Sequence, residues 1–405
     1  MRNAKMLNLF RSKKDLINLF VVRFLTGLVT LFEILYLPVL IGLTFKLFDY
    51  QRSILINFAI LATFGLHSGY FVLFYKLKNK ILSIEIFKST ILLILISFVL
   101  FFTIFVIYDF QNVYSLPLAF SFLIILILEK FLVIKNKLIF SQTIKALNSL
   151  FYLMFGYFFI YENYQNYILL TGLCSVIGLF VIIKIFIPEF LIFFSLNKIR
   201  FRRSLFKIIF DLGYKQIIAT FLFGIIIILI KAIFLDFYPD EYNAYSTIIN
   251  LIIMYLVLNS VLNLYYNKNF ASAANNQRNI KSFLKSHLKP LIIIYFFVYI
   301  FFTPSLIYYF KLMDFEFETS FIFIGIFCIT FLFLIEYFNY VVIFLNKQLF
   351  YVLSQVFIIL LYTLIYYFLK FNIIGEKIIE IYLLVPFLFL GIINMFYLIK
   401  KFKSI

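Results

Sequence analysis

Ionisable side chains set inside long apolar runs are where this sequence can do chemistry. Arg23, Glu33, His67, Asp211, Lys215, Lys231 and Glu336 all stand in or at the edge of such runs. A charge at bilayer depth costs from about 2.5 to more than 10 kcal/mol, so each is a functional candidate by default. Arg23 lies eight residues beyond Asp15, and His67 nine before Lys76. At 1.5 Å per helical residue both sit roughly 12–13 Å in from the same face. Asp211 precedes Lys215 by four residues, a spacing at which the two can pair on one helical face. Lys231 is five residues from Asp236, near enough to the end of its run to snorkel outward. Glu33 and Glu336 have no opposite charge within one helical turn. A lone buried carboxylic acid tends to keep its proton and can carry it through a cycle. Plainer roles stand beside these: Arg23 reaching the inner headgroups, His67 donating to a carbonyl, Asp211 neutralising Lys215, and two neutral acids bonded to adjacent helices.

The elements that must position these residues follow from composition. The chain has 405 residues, 65% hydrophobic and 13% charged, with 60 Phe and 30 Tyr. A soluble domain is nearer half apolar and a quarter charged, and one core would fill long before these apolar residues ran out. A spanning helix uses about 20 apolar residues, so the chain is expected to hold about twelve. Apolar runs fall near 16–45, 53–75, 84–108, 115–134, 141–161 and 165–187. After the basic break NKIRFRRSLFK come runs near 206–235, 246–266, 291–310, 320–345, 349–369 and 380–399. Pro188 and Glu189 read as an interfacial continuation of the sixth run.

The net charge of +18 would suggest nucleic acid in a soluble protein. Here the basic residues fall between apolar runs, so membrane orientation explains them and no nucleic-acid partner is expected. Most lie on the side that holds the N-terminus; Lys46, Arg52, Lys311, Lys370 and Lys377 mark the other. Both termini are therefore expected in the cytoplasm. Cys174 and Cys328 sit in apolar runs with no CxxC or Cys/His cluster, so no metal site or disulfide framework is expected. No GxxxxGK[ST] loop is present, and the connections are too short for a catalytic domain, so neither a built-in ATPase, an enzyme nor a cofactor is expected.

Six runs precede the basic break and six follow it, giving expected halves 1–200 and 201–405. The second run opens with YQRSILINFAIL and the eighth with YNAYSTIINLII, so Ser53 and Asn57 match Ser246 and Asn250. Arg23 and Lys215 likewise stand at nearly equal depth in the first and seventh runs. Duplicated halves with an even number of spans share orientation, related by an axis along the membrane normal.

The segments LPVLIGLTFKLFDYQ at 37–51, FGLHSGYFVLFYKLKNK at 64–80, RRSLFKIIFDLGYKQII at 202–218 and DEYNAYSTIINLI at 240–252 carry a family likeness. In these, and in span number and loop size, the chain resembles the Wzx-type flippases of O-antigen and capsule repeat units. These form the polysaccharide-transport branch of the multidrug/oligosaccharidyl-lipid/polysaccharide (MOP) exporter superfamily. The resemblance implies an all-α polytopic membrane protein with a MATE-like fold, two six-helix bundles forming a V around a cavity. It implies movement of undecaprenyl-diphosphate-linked oligosaccharide from the cytoplasmic to the outer leaflet of the inner membrane, with a polymerase and a chain-length regulator as partners. On that reading Arg23, His67, Lys215 and Lys231 would meet the diphosphate, and Glu33, Glu336 and Asp211 would couple transport to an ion. An O-antigen polymerase and a MATE-type drug exporter remain the alternatives. A polymerase would need a large outer loop with arginines, whereas here Arg52 is the one arginine expected outside.

Overall fold

The structure is a computed structural model. It describes residues 21–22, 25–42, 44–74, 80–108, 110–135, 137–158, 164–191, 203–251, 300, 303–315, 319, 322–323, 348–373, 388 and 392. The described residues form helices and turns and no strand, as a polytopic helical membrane protein requires. In chain order the helices are α1 Leu25–Ile41, α2 Thr44–Ala62, α3 Leu66–Phe74, α4 Lys80–Tyr108, α5 Leu116–Ile134 and α6 Leu138–Thr143. Then come α7 Leu147–Phe158, α8 Tyr164–Phe186, α9 Pro188–Leu191, α10 Arg203–Phe237, residues 242–251 (α11), residues 303–312 (α12) and α13 Gln348–Lys370.

Among the described residues, five stretches are long and apolar enough to cross a membrane: Glu85–Tyr108, Asn112–Leu132, Tyr164–Phe186, Ile217–Phe237 and Val352–Lys370. The expected runs near 246–266, 291–310, 320–345 and 380–399 lie mostly or wholly outside the described residues. By contact the chain separates into two compact units, Met1–Gly224 and Ile225–Ile405, and the division falls inside α10 beyond the basic break.

Two features of the first unit differ from the sequence expectation. The connection between the first two runs is a tight turn at Gly42 (φ 51), not a loop over 46–52. Phe45 N–H donates to the Gly42 carbonyl at 3.0 Å, and α2 begins at once. Gly42 would meet nothing within 4 Å if it carried a Cβ, so its left-handed φ is what favours glycine there. Lys46, Asp49 and Arg52 consequently lie inside α2 rather than in a loop. The second run is also broken: α2 stops at Ala62, and Phe64 (φ 47) and Gly65 (φ 72) turn the chain into α3. Thr63 Oγ1 caps this break, donating to the Ile60 carbonyl at 2.8 Å and accepting from Gly65 N–H at 3.3 Å.

α5 is the central helix of the first unit, packed on α8, α2 and α3. Its closest approach to α8 is at Gly172, where a Cβ would lie 2.5 Å from the Leu118 amide nitrogen. Larger residues would push these helices apart, so the polar side chains of the interface are small: Ser121, Thr171 and Ser175, all fully buried. α4 instead turns Leu100, Ile104 and Ile107 outward, as a lipid-facing helix should. The expected continuation at Pro188 is present as α9, one helical turn tied back by Lys137, whose Nζ donates to Glu189 Oε1 at 3.0 Å.

Candidate functional site

Each unit buries a cationic side chain at a junction of two helices. In the first, Arg52 of α2 donates to Glu33 of α1 and, at 2.9 Å, to Asp49 Oδ1 one turn back on its own helix. Asp49 is wholly buried, and Glu33 and Arg52 are 4% and 8% exposed. The guanidinium carbon lies 5.5 Å from the ring centroids of both Phe48 and Tyr152. Phe48 meets Tyr152 and Tyr167 edge-on, at 5.2 and 4.8 Å, and the Tyr167 hydroxyl donates to the Tyr152 carbonyl at 2.6 Å. The rings exclude water and stabilise the cation through their faces.

In the second unit Lys231 of α10 is 1% exposed and donates to Asn250 Oδ1 of α11 at 2.9 Å. The Asn250 amide nitrogen in turn donates to Ser246 Oγ at 3.3 Å. Tyr242 and Tyr245 of α11 are fully buried, with the Tyr245 ring 4.3 Å from Phe234. On α13, Gln355 is fully buried and neither of its amide atoms has a hydrogen-bond partner. Asp236, toward which Lys231 was expected to extend, instead accepts from the Tyr366 hydroxyl at 2.8 Å.

Set against the sequence expectations, Glu33 is not a lone acid: Arg52 compensates it from the next helix. Spacing along one helix cannot reveal such a partner. Lys231 does not snorkel; the buried amide of Asn250 gives it a partner inside the unit. His67, on α3, is packed as its plain reading had it, but its Nε2 lies 3.3 Å from Ser68 Oγ and its Nδ1 has no partner. Its charged neighbours are Lys130 and Glu129 of α5. Asp211 is exposed on α10, while the Lys215 side chain, Arg23 and Glu336 lie outside the described residues. Sequence reasoning missed Asp49 and Arg52 by assigning them to an outer loop. Their i,i+3 spacing, beginning seven residues after a glycine able to make the turn, was the available signal.

No protein-family model matches the sequence, and no curated protein matches it. Solved structures do. An inward-facing multidrug resistance MATE family transporter of the MOP superfamily superposes with a TM-score of 0.67 at 14% identity, over 96% of this chain and 94% of that one. The outward-facing conformation of such a transporter gives 0.62 at 13% identity, over 97% and 96%. A MOP superfamily transporter from Pyrococcus furiosus, described as having a binding pocket of reverse polarity, gives 0.53 at 11%, over 97% and 96%. Likeness along nearly the whole chain at such low identity establishes architecture, and this chain has the fold of the MATE transporters of the MOP superfamily.

Proposed function

We propose that this chain is a transporter of the cytoplasmic membrane that flips undecaprenyl-diphosphate-linked oligosaccharide to the outer leaflet. One observation carries the choice of an anionic substrate. Both described carboxylates of the first unit's centre are held by Arg52, and the second unit's centre is built on Lys231. A cationic drug needs an uncompensated acid, and neither centre offers one. A diphosphate needs cations that can be released to it, and charge-assisted bonds to phosphate suit both Arg and Lys. The reversed pocket polarity described for the Pyrococcus furiosus transporter is a precedent for changing the substrate's charge on this fold. Export of small cationic compounds is the second reading, favoured by the multidrug description of the other two neighbours.

In this proposal Arg23, His67 and Lys215 receive the diphosphate on the cytoplasmic side, and Lys231 meets it late, after leaving Asn250. Glu33 carries the coupling ion, with Glu336 and Asp211 as further carriers. Both termini face the cytoplasm, where a synthesis machinery with a polymerase and a chain-length regulator would join it. Arg23→Ala should stop surface polysaccharide export at unchanged protein abundance, and Arg23→Lys should keep part of it, since the charge remains while the planar fork is lost. Normal export by Arg23→Ala, together with raised drug tolerance in cells expressing the parent chain, would favour the second reading.

A further inference from the structure

α8, in the first compact unit, carries an exposed apolar stripe that ends in a lysine. Leu173, Ile177 and Val181 are 42%, 61% and 49% exposed, and the exposed Lys184 continues their face in the last turn. Residues three or four apart fall on one side of a helix. Leu173 and Lys184 are eleven residues apart, about 16 Å of helix. That is about half of a hydrocarbon core of roughly 30 Å. The stripe is as long as one leaflet is thick, with its lysine at the depth of the headgroups. The leaflet is the one on the side of the basic break, which follows at 197–207.

Two more lysines meet the chain there. Lys137, in the turn from α5 to α6, donates to Glu189 Oε1 of α9 and, at 3.5 Å, to the carbonyl of Phe186, two residues beyond Lys184. Lys135 is exposed and acts electrostatically on the same Glu189. Three lysines stand here against one carboxylate. Among the described residues neither Lys135 nor Lys184 has an acid within ion-pair distance. Beside them the Phe140 ring packs 5.7 Å from that of Phe186, and both are partly exposed, so the cations adjoin apolar surface.

We propose that this face seats an anionic phospholipid, its phosphate held by Lys135 and Lys184 and one acyl chain lying along α8. Charge and shape together select the occupant. A zwitterionic lipid brings a cation of its own to the lysines, and a free anion leaves the stripe uncovered. Glu189 limits the attraction by taking Lys137 for itself. The seat lies apart from the Arg52 cluster and rests on the chain spanning a membrane, not on what it transports.

The chain has no tryptophan, so Ile177→Trp supplies a single emitter on the stripe, and Leu100→Trp, on the outward face of α4, supplies one away from it. Each full chain is placed in phosphatidylcholine vesicles holding a minor share of phosphatidylglycerol. Bromine quenchers are carried on the acyl chains of the phosphatidylglycerol or of an equal share of the phosphatidylcholine. At residue 177 a preference for phosphatidylglycerol of about 25-fold is expected, from about fivefold for each of two lysines. At residue 100 the two lipids should quench equally. Lys135→Gln and Lys184→Gln should each remove about fivefold of the preference, and Glu189→Gln should raise it. Equal quenching by the two lipids at residue 177, or a preference that survives both lysine substitutions in a folded chain, would overturn the seat. Relief of the phosphatidylglycerol quenching by a trace of undecaprenyl diphosphate would give the seat to that carrier and overturn the phospholipid assignment.

Discussion

In the first unit a guanidinium is shared between two carboxylates; in the second an ammonium is received by an amide. Both centres join the first helix of a sequence half to its second, α1 to α2 and α10 to α11. Both second helices carry the repeated serine and asparagine, yet the two asparagines have different fates. Asn57 lies with a bare oxygen against Gly224, whereas Asn250 accepts a hydrogen bond from Lys231 and donates one to Ser246. At the repeat offset, Asp49 and Arg52 correspond to the buried Tyr242 and Tyr245. The two units thus share a backbone plan and differ in what receives the buried cation. In the first, two acids face the buried cation, and in the second an amide does. That asymmetry suits a transporter that couples in one half and contacts an anion in the other.

The strongest way to break this contrast is at Arg52. Arg52→Met leaves Glu33 and Asp49 buried without their cation, which typically costs about 3–5 kcal/mol. A large drop in thermal unfolding temperature or in membrane abundance is expected. Adding Glu33→Gln and Asp49→Asn removes the charges and should recover most of the loss. If Arg52→Met is as stable as the parent chain, the cluster does not hold α1 to α2. Glu33→Gln alone leaves Asp49 to balance Arg52 and removes the proposed proton carrier. Stability should then hold while dependence of transport on a pH gradient is lost.

A smaller effect is expected at Lys231. Lys231→Met keeps the length and burial of the stem but removes the donor to Asn250 Oδ1. Leaving that acceptor bare should cost about 1–3 kcal/mol. The double variant Lys231→Met with Asn250→Leu should be more stable than Lys231→Met alone. Additivity of the two substitutions in a thermal melt would mean that the lysine and the amide are not coupled.

How much of this was legible in the sequence depended on the range of the interaction. Apolar run length predicted the helices 84–108, 115–134 and 165–187 within a few residues of α4, α5 and α8, because spanning the bilayer is a local demand. The repeat flagged Ser246 and Asn250 by position, and Asn250 then proved to receive Lys231 and to donate to Ser246. Charge placement failed where polarity was taken as a sign of a loop. Asp49 and Arg52 look like outer-turn residues only until Glu33, nineteen positions earlier, is known to face them. The break at Phe64–Gly65 was also hidden, since the run 53–75 is apolar throughout its centre and the demand for it comes from α10, more than a hundred residues away.

The contrast is sharpened by an ion pair outside the apolar interior. Lys137 and Glu189 meet at 3.0 Å with side chains 34% and 38% exposed, between the α5–α6 turn and α9. The hydrogen bond from Lys137 holds the Glu189 carboxyl below the usual carboxylate range, helped by its own backbone amide. A carboxyl depressed in the folded state contributes stability above its unfolded pKa, near 4.3 for a glutamate. That contribution disappears as the pH falls through the folded value. Water and salt screen so exposed a pair, so its worth is about 0.5 kcal/mol or less. Glu189→Gln should therefore lower the unfolding temperature slightly at pH 7 and not at all in strong acid, and added salt should shrink even the small effect. The buried Arg52 cluster should show no such salt dependence, because screening ions do not enter it. Equal salt sensitivity of Glu189→Gln and Arg52→Met would mean that the first unit's centre is open to water.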